Sequence, residues 1–125
     1  MGLLSSEIKS TGRWGEEQAV RFLRRHGYRI LERNYSCRFG EIDVIASRRG
    51  VLSFIEVKTR RDDSHGEARE FVSAAKQQRL LSTASLYLSE HETELQPRFD
   101  VIEVYAPQGP ETRFPRIVLI ENAFS

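Results

Sequence analysis

The chain has 125 residues, 39% of them apolar and 30% charged, which points to one globular domain with enough chain for a single core. Its formal net charge of +1 gives no global electrostatic argument for a nucleic-acid partner, so any basic surface must be local. The single cysteine, Cys37, excludes an intramolecular disulfide framework and any multi-cysteine zinc site.

Residues 1–10 lack the apolar core and cleavage pattern of a signal peptide, and no apolar run approaches transmembrane length. They are expected to form a flexible tail before a single domain over 11–125, in a cytoplasmic protein. Ser10 or Thr11 can cap a helix running to about His26, with Trp14, Ala19, Val20, Phe22 and Leu23 as its apolar stripe and Gly27 as its stop. Tyr28 to Asn34 reads as a first strand. Phe39 to Ala46 and Val51 to Lys58 read as a hairpin closed by Ser47-Arg48-Arg49-Gly50. Thr59 to Glu70 is polar and aperiodic, hence a loop. A second helix is expected over about Phe71 to Leu88, after which Pro97 breaks the chain. Arg98 to Tyr105 and Arg116 to Glu121 are the last strands, separated by a turn-rich stretch with Pro107, Gly109 and Pro110. This order predicts an α/β fold with a mixed five-stranded sheet and helices on both faces or together on one side.

Three charges stand on strands otherwise built for burial: Asp43 in Gly40-Glu41-Ile42-Asp43-Val44-Ile45, then Glu56 and Lys58 in Phe54-Ile55-Glu56-Val57-Lys58. Buried charge is costly unless paired, and a divalent cation is one such partner. Strand alternation puts Glu41, Asp43 and Ile45 on one face and Ile42, Val44 and Ala46 on the other. Antiparallel pairing can then gather the apolar residues on one face and Asp43, Glu56 and Lys58 on the other. Glu56 and Lys58 lie roughly 7 Å apart along their strand.

These residues and their order resemble the PD-(D/E)XK nuclease superfamily, with Asp43 at the aspartate position and Glu56-Val57-Lys58 at E-X-K. Ile42 stands where a proline often precedes the aspartate. The resemblance is closer to the bacterial YraN family of predicted endonucleases, distantly similar to archaeal Holliday junction resolvases. It rests on Gly12-Arg13-Trp14-Gly15-Glu16, the Gly40–Asp43 and Phe54–Arg60 runs, Lys76-Gln77, Arg98-Phe99-Asp100-Val101 and Glu121-Asn122-Ala123-Phe124. It implies a restriction-endonuclease-like three-layer core. It also implies an acidic residue on the first helix that completes the metal site; Glu16 holds that position, and the adjacent Glu17 points about 100° away.

Phosphodiester hydrolysis on this scaffold would use Mg²⁺, with Mn²⁺ as a substitute, held by Asp43 and Glu56. Glu16 would assist, Lys58 would serve the attacking water or the phosphate, and Gln77 would orient that water or Lys58. Arg48, Arg49, Arg60, Arg61, Lys76 and Arg79 are candidate phosphate contacts; no base-reading motif is present, which favours structured over sequence-defined DNA. A homodimer and a DNA-processing ATPase or recombination partner are compatible with so small a domain. The alternative is a non-cleaving nucleic-acid-binding module or adaptor.

Bland readings stand beside these. Glu56 and Lys58 can form a plain ion pair, and Glu41 suits pairing better than ligation. Arg60-Arg61-Asp62-Asp63 is a self-paired loop or a phosphate clamp. His65 reads as surface, His26 as a helix end, Trp14 as core, Cys37 as a half-buried bystander and Asp100 as a partner of Arg98.

Overall fold

The computed structural model describes residues 5–61 and 72–124, with side chains from residue 11 onward. Loop residues Asp62, Asp63 and His65 lie outside the described residues. Helix α1 (Ser5–Arg25) is followed by strands β1 (Arg29–Cys37), β2 (Gly40–Arg48) and β3 (Val51–Arg60). Helix α2 (Ala74–Glu90) and strands β4 (Gln96–Tyr105) and β5 (Arg116–Phe124) complete the fold, with a short 3-10 turn at Gly109–Glu111.

Helix α1 starts at Ser5, earlier than Ser10 or Thr11, since no proline interrupts residues 5–11. It stops where expected. Gly27 takes a φ of 83°, its N–H bonds to the Arg24 carbonyl and the Tyr28 N–H to the Leu23 carbonyl, the paired bonds of a Schellman cap. Helix α2 starts three residues later than expected because Ser73 caps it, its hydroxyl accepting the Lys76 N–H at 3.1 Å. The β2–β3 connection is a two-residue turn, Arg49 (φ 50°) and Gly50 (φ 80°), both left-handed as a type I′ hairpin requires. Pro97 does not break the chain; it is the second residue of β4, beside Leu52 of β3.

The sheet runs β1-β2-β3-β4-β5, with β3 and β4 parallel and the other neighbours antiparallel. The parallel pair needs a crossover, which α2 supplies. One helix covers each face. Ala19, Val20 and Leu23 of α1 meet Val44, Ala46, Ile55, Ile102 and Val104. Leu80, Ala84 and Tyr87 of α2 meet Ile42, Ile45, Phe54 and Val101 on the other side. The result is a three-layer α/β/α core. Trp14 lies against the α1 cluster, as its core reading required. Among the described residues no helix is long and apolar enough to cross a membrane.

The expected division into one apolar and one charged face is corrected. Both faces are apolar because both are covered by helices. Alternation along β2 is also interrupted: Ile42 and Ile45 both face α2, whereas Val44 and Ala46 face α1. The irregular step falls at Asp43, and the β2–β3 ladder begins only at Val44 opposite Ile55.

Candidate active site

The charged residues gather at one end of the central strands, where β2 begins and β3 ends. There the two strands part. In place of a ladder bond, the Asp43 carboxylate accepts the Val57 N–H at 2.8 Å. Asp43 therefore sits in the split between the strands, and it lines cavities on both sides of the sheet together with Glu56. The cavity on the α1 side holds about 420 Å³ and adds Thr11, Gly12, Glu16, Thr59, Arg60 and Arg61 to its walls. The cavity on the α2 side holds about 200 Å³ and adds Gly40, Glu41, Lys76 and Arg79.

Helix α1 delivers Glu16 because Gly15 lets it approach β3 closely; a Cβ at Gly15 would overlap Thr59 Oγ1. Glu17, one residue on, points elsewhere and pairs with Arg33 at 2.7 Å. Asn34, which the sequence reading passed over, connects the acidic residues. Its amide donates to Glu16 at 3.0 Å and to Glu41 at 3.4 Å, and the Ser36 hydroxyl donates to Glu41 at 3.3 Å. The available signal was an asparagine near a strand end; Asn34 has a φ of 52°, a conformation asparagine tolerates.

Glu56 is 8% exposed and carries two ammonium neighbours on one oxygen. Lys76 Nζ lies 2.5 Å from Oε1, and Lys58 Nζ 3.9 Å from the same atom. Lys76 was expected as a phosphate contact only. Gln77, expected to orient the water or Lys58, is not brought to the cluster: its Nε2 donates to the Val72 carbonyl at 2.9 Å. One helical position decides this, since adjacent residues on α2 differ by about 100° in direction.

Burial and the nearby Glu56 and Glu16 charges push Asp43 up to about 7, against the opposing Val57 hydrogen bond. Burial and Glu41 also raise Glu16. Burial, with the neighbouring Lys76 charge, lowers Lys58. Burial acts in the same direction on Lys76, but the hydrogen bond and charge of Glu56 outweigh it and raise that lysine. The site thus has carboxylates that repel one another and a lysine displaced toward neutrality, the pattern of groups tuned for chemistry.

Other predicted residues are placed differently. Arg60 lines the larger cavity while its Nε lies 3.0 Å from buried Glu103, and Arg61 is exposed at the same rim. Arg79 reaches the smaller cavity. Arg48 and Arg49 are not near the site, being at the hairpin tip on the opposite end of β2 and β3. Arg48 is used there: it donates to the His26 carbonyl at 2.9 Å and lies 4.6 Å over the Tyr28 ring. Asp100 is bonded by Arg98 through Nε (2.8 Å) and an Nη (2.9 Å), as its bland reading proposed. Cys37 is half-buried against Thr83.

Among the described residues no three His, Cys, Asp or Glu side chains form a group that could hold a metal ion by themselves. The donor set suits a hard cation instead. Mg²⁺ keeps several waters and needs only one or two carboxylates, which Asp43 and Glu56 could supply. Burial and the repulsion from Glu56 and Glu16 raise Asp43, and a dication between the carboxylates would offset both.

A helix, a three-strand meander, a crossover helix and two further strands define a three-layer α/β protein with an open mixed sheet, the layout expected of the restriction-endonuclease-like core. Residues 15–104 match the model of the Uncharacterised protein family UPF0102, and the chain belongs to that family, which bears out the YraN resemblance. A UPF0102 protein of Syntrophotalea carbinolica is 52% identical over 96 residues, covering 76% of this chain and 78% of that protein. One from Symbiobacterium thermophilum is 51% identical over 117 residues, covering 93% and 97%. One from Caldicellulosiruptor saccharolyticus is 39% identical over 117 residues, covering 93% and 98%.

Proposed function

We propose that this protein is a metal-dependent endonuclease that hydrolyses DNA phosphodiester bonds, on branched or otherwise structured DNA. The observation that carries the reading is the position of Asp43 and Glu56 in the split between β2 and β3, lining both cavities with Glu16 on one side and two lysines beside Glu56.

In this reading Asp43 and Glu56 hold Mg²⁺ or Mn²⁺, and Glu16 assists through water or a second ion. When bound, the metal supplies Lewis acidity and a more acidic water. Lys58 would orient the attacking water, accept its proton or stabilise charge on the phosphate. Burial and the Lys76 charge lower the Lys58 pKa, the direction a proton-accepting role requires. Arg60, Arg61 and Arg79 hold phosphates around the two cavities without reading bases. Cutting two strands takes two copies of a domain with one such site, so a homodimer fits the substrate class.

The test is cleavage of supercoiled plasmid and four-way junction DNA with Mg²⁺ or Mn²⁺. Asp43→Ala and Lys58→Ala are each expected to lose about a hundredfold or more in rate. Equal activity in the wild type and both variants overturns the assignment. A second reading, a non-cleaving DNA-binding module or adaptor for a DNA-processing ATPase, draws support from the Lys76–Glu56 ion pair, which balances charge without a metal. It predicts no cleavage, and salt-sensitive DNA binding that survives Asp43→Ala.

A further inference from the structure

Lys76 is a cation held on one oxygen of a buried carboxylate, Glu56. Its Nζ meets Glu56 Oε1 at 2.5 Å, while its side chain remains one-third exposed. Lys58 stands farther from the same oxygen, at 3.9 Å, and makes the weaker claim on it. The smaller cavity, lined by Lys76, Glu56, Asp43 and Glu41, gives the ammonium room to leave. The backbone of Lys76 is fixed by its N–H donating to Ser73 Oγ, so its flexible stem can swing away from Glu56 without disturbing α2.

We infer that Lys76 is the resident counter-ion of Glu56, displaced when a divalent cation takes that carboxylate and thereby released to contact an anionic ligand. The physical reason is local charge. A hard dication sits about 2.0–2.1 Å from its oxygen ligands. Two ammonium groups around that same oxygen would be strongly repelled, and the exposed one on the helix is free to move. If the anion is a DNA phosphate, which rests on the function proposed above, metal and DNA bind cooperatively. By linkage each then raises the affinity for the other.

The experiment is calorimetric titration of Mn²⁺ into the full chain without DNA, comparing wild type, Lys76→Met, Lys76→Arg and Arg79→Met. Lys76→Met keeps the apolar stem and removes the competitor; it is expected to bind Mn²⁺ about tenfold more tightly, the worth of a charge-assisted hydrogen bond. Lys76→Arg retains a competing cation and is expected to stay near wild type. Arg79→Met removes the same charge from the cavity wall without freeing Glu56, and is expected to gain about twofold at most. Unchanged or weaker Mn²⁺ binding in Lys76→Met overturns the inference, as does an equal gain in Arg79→Met, which would mean a general field effect. Lys76→Met leaves buried Glu56 with only the more distant Lys58 nearby and is expected to lose some thermal stability, which Mn²⁺ should restore; a cooperative unfolding transition in all four proteins checks that each is folded. A wild type that binds Mn²⁺ as expected but cuts no DNA sinks the nuclease reading alone. One that cuts DNA while Lys76→Met binds Mn²⁺ no better sinks this inference alone.

Discussion

Two aspartates in this fold do the same backbone work and differ in their electrostatics. Asp43 accepts the Val57 N–H at 2.8 Å and Asp100 the Asn122 N–H at 2.9 Å, each where a strand ladder is interrupted. Asp100 is held by the Arg98 guanidinium, which neutralises it. Asp43 is half-buried beside Glu56 and Glu16, without such a guanidinium among the described residues, and burial with those charges raises its pKa to about 7. The stability consequence has a definite sign. The native state holds the Asp43 proton between the unfolded value near 4 and about 7, so it binds more protons there than the unfolded chain does. Stability contributed by this group therefore falls as pH rises through that window. Asp43→Asn keeps an acceptor for Val57 and removes the charge. It is expected to be more stable than wild type at pH 8 by on the order of 1–3 kcal/mol, and equal to it near pH 3. Urea unfolding at the two pH values measures this; the same difference at both would refute the electrostatic cause. Added Mg²⁺ at pH 8 should narrow the gap by stabilising the wild type alone.

At the level of elements, the site depends on how closely α1 lies against the end of β3. Gly15 is the contact point, because a side chain there would overlap Thr59 Oγ1. Gly15→Ala gains helix propensity of about 1 kcal/mol, but the overlap pushes α1 outward and carries Glu16 away from Asp43. A net loss of roughly 1–2 kcal/mol is expected. In a Thr59→Ala background the obstructing hydroxyl is gone, so at least about half of that loss should disappear. A double-mutant cycle by urea unfolding reads the coupling; additive losses would show that the close approach is not what Gly15 provides. Helix α2 plays the matching part on the other face. Its Ser73 cap puts Lys76 in the first turn, within reach of Glu56, and turns Gln77 back toward Val72.

For the whole molecule, the two ends of the sheet have separate tasks. At one end Arg48 and Arg98 tie the hairpin tip, Tyr28 and Asp100 together. At the other are the acidic groups, Arg61, Lys76 and Arg79. Asp43 and Arg48, five residues apart on β2, are separated by roughly 17 Å. If the ligand is DNA, as proposed, its phosphate contacts should come from one end only. Arg61→Ala is expected to reduce the salt slope of DNA binding by about 1, and Arg49→Ala to leave it unchanged. Fluorescence anisotropy over a salt series decides between them; equal losses from both arginines would place DNA across the hairpin tip as well.

Local pattern in the sequence was enough to identify the α/β order, the Gly27 stop, the hairpin and the unusual placement of Asp43, Glu56 and Lys58 on buried strands. Strand alternation, helix periodicity and turn chemistry act over a few residues, so they can be read without the fold. Tertiary structure alone decided that both sheet faces are buried, that Asp43 lies in a split between strands, and that Glu16 faces the site rather than Glu17. It likewise chose Lys76 over Gln77 and sent Arg48 to the far end of the sheet. These outcomes depend on how each helix is rotated and seated against strands distant in the chain, and neighbouring residues of one helix differ by about 100° in that rotation.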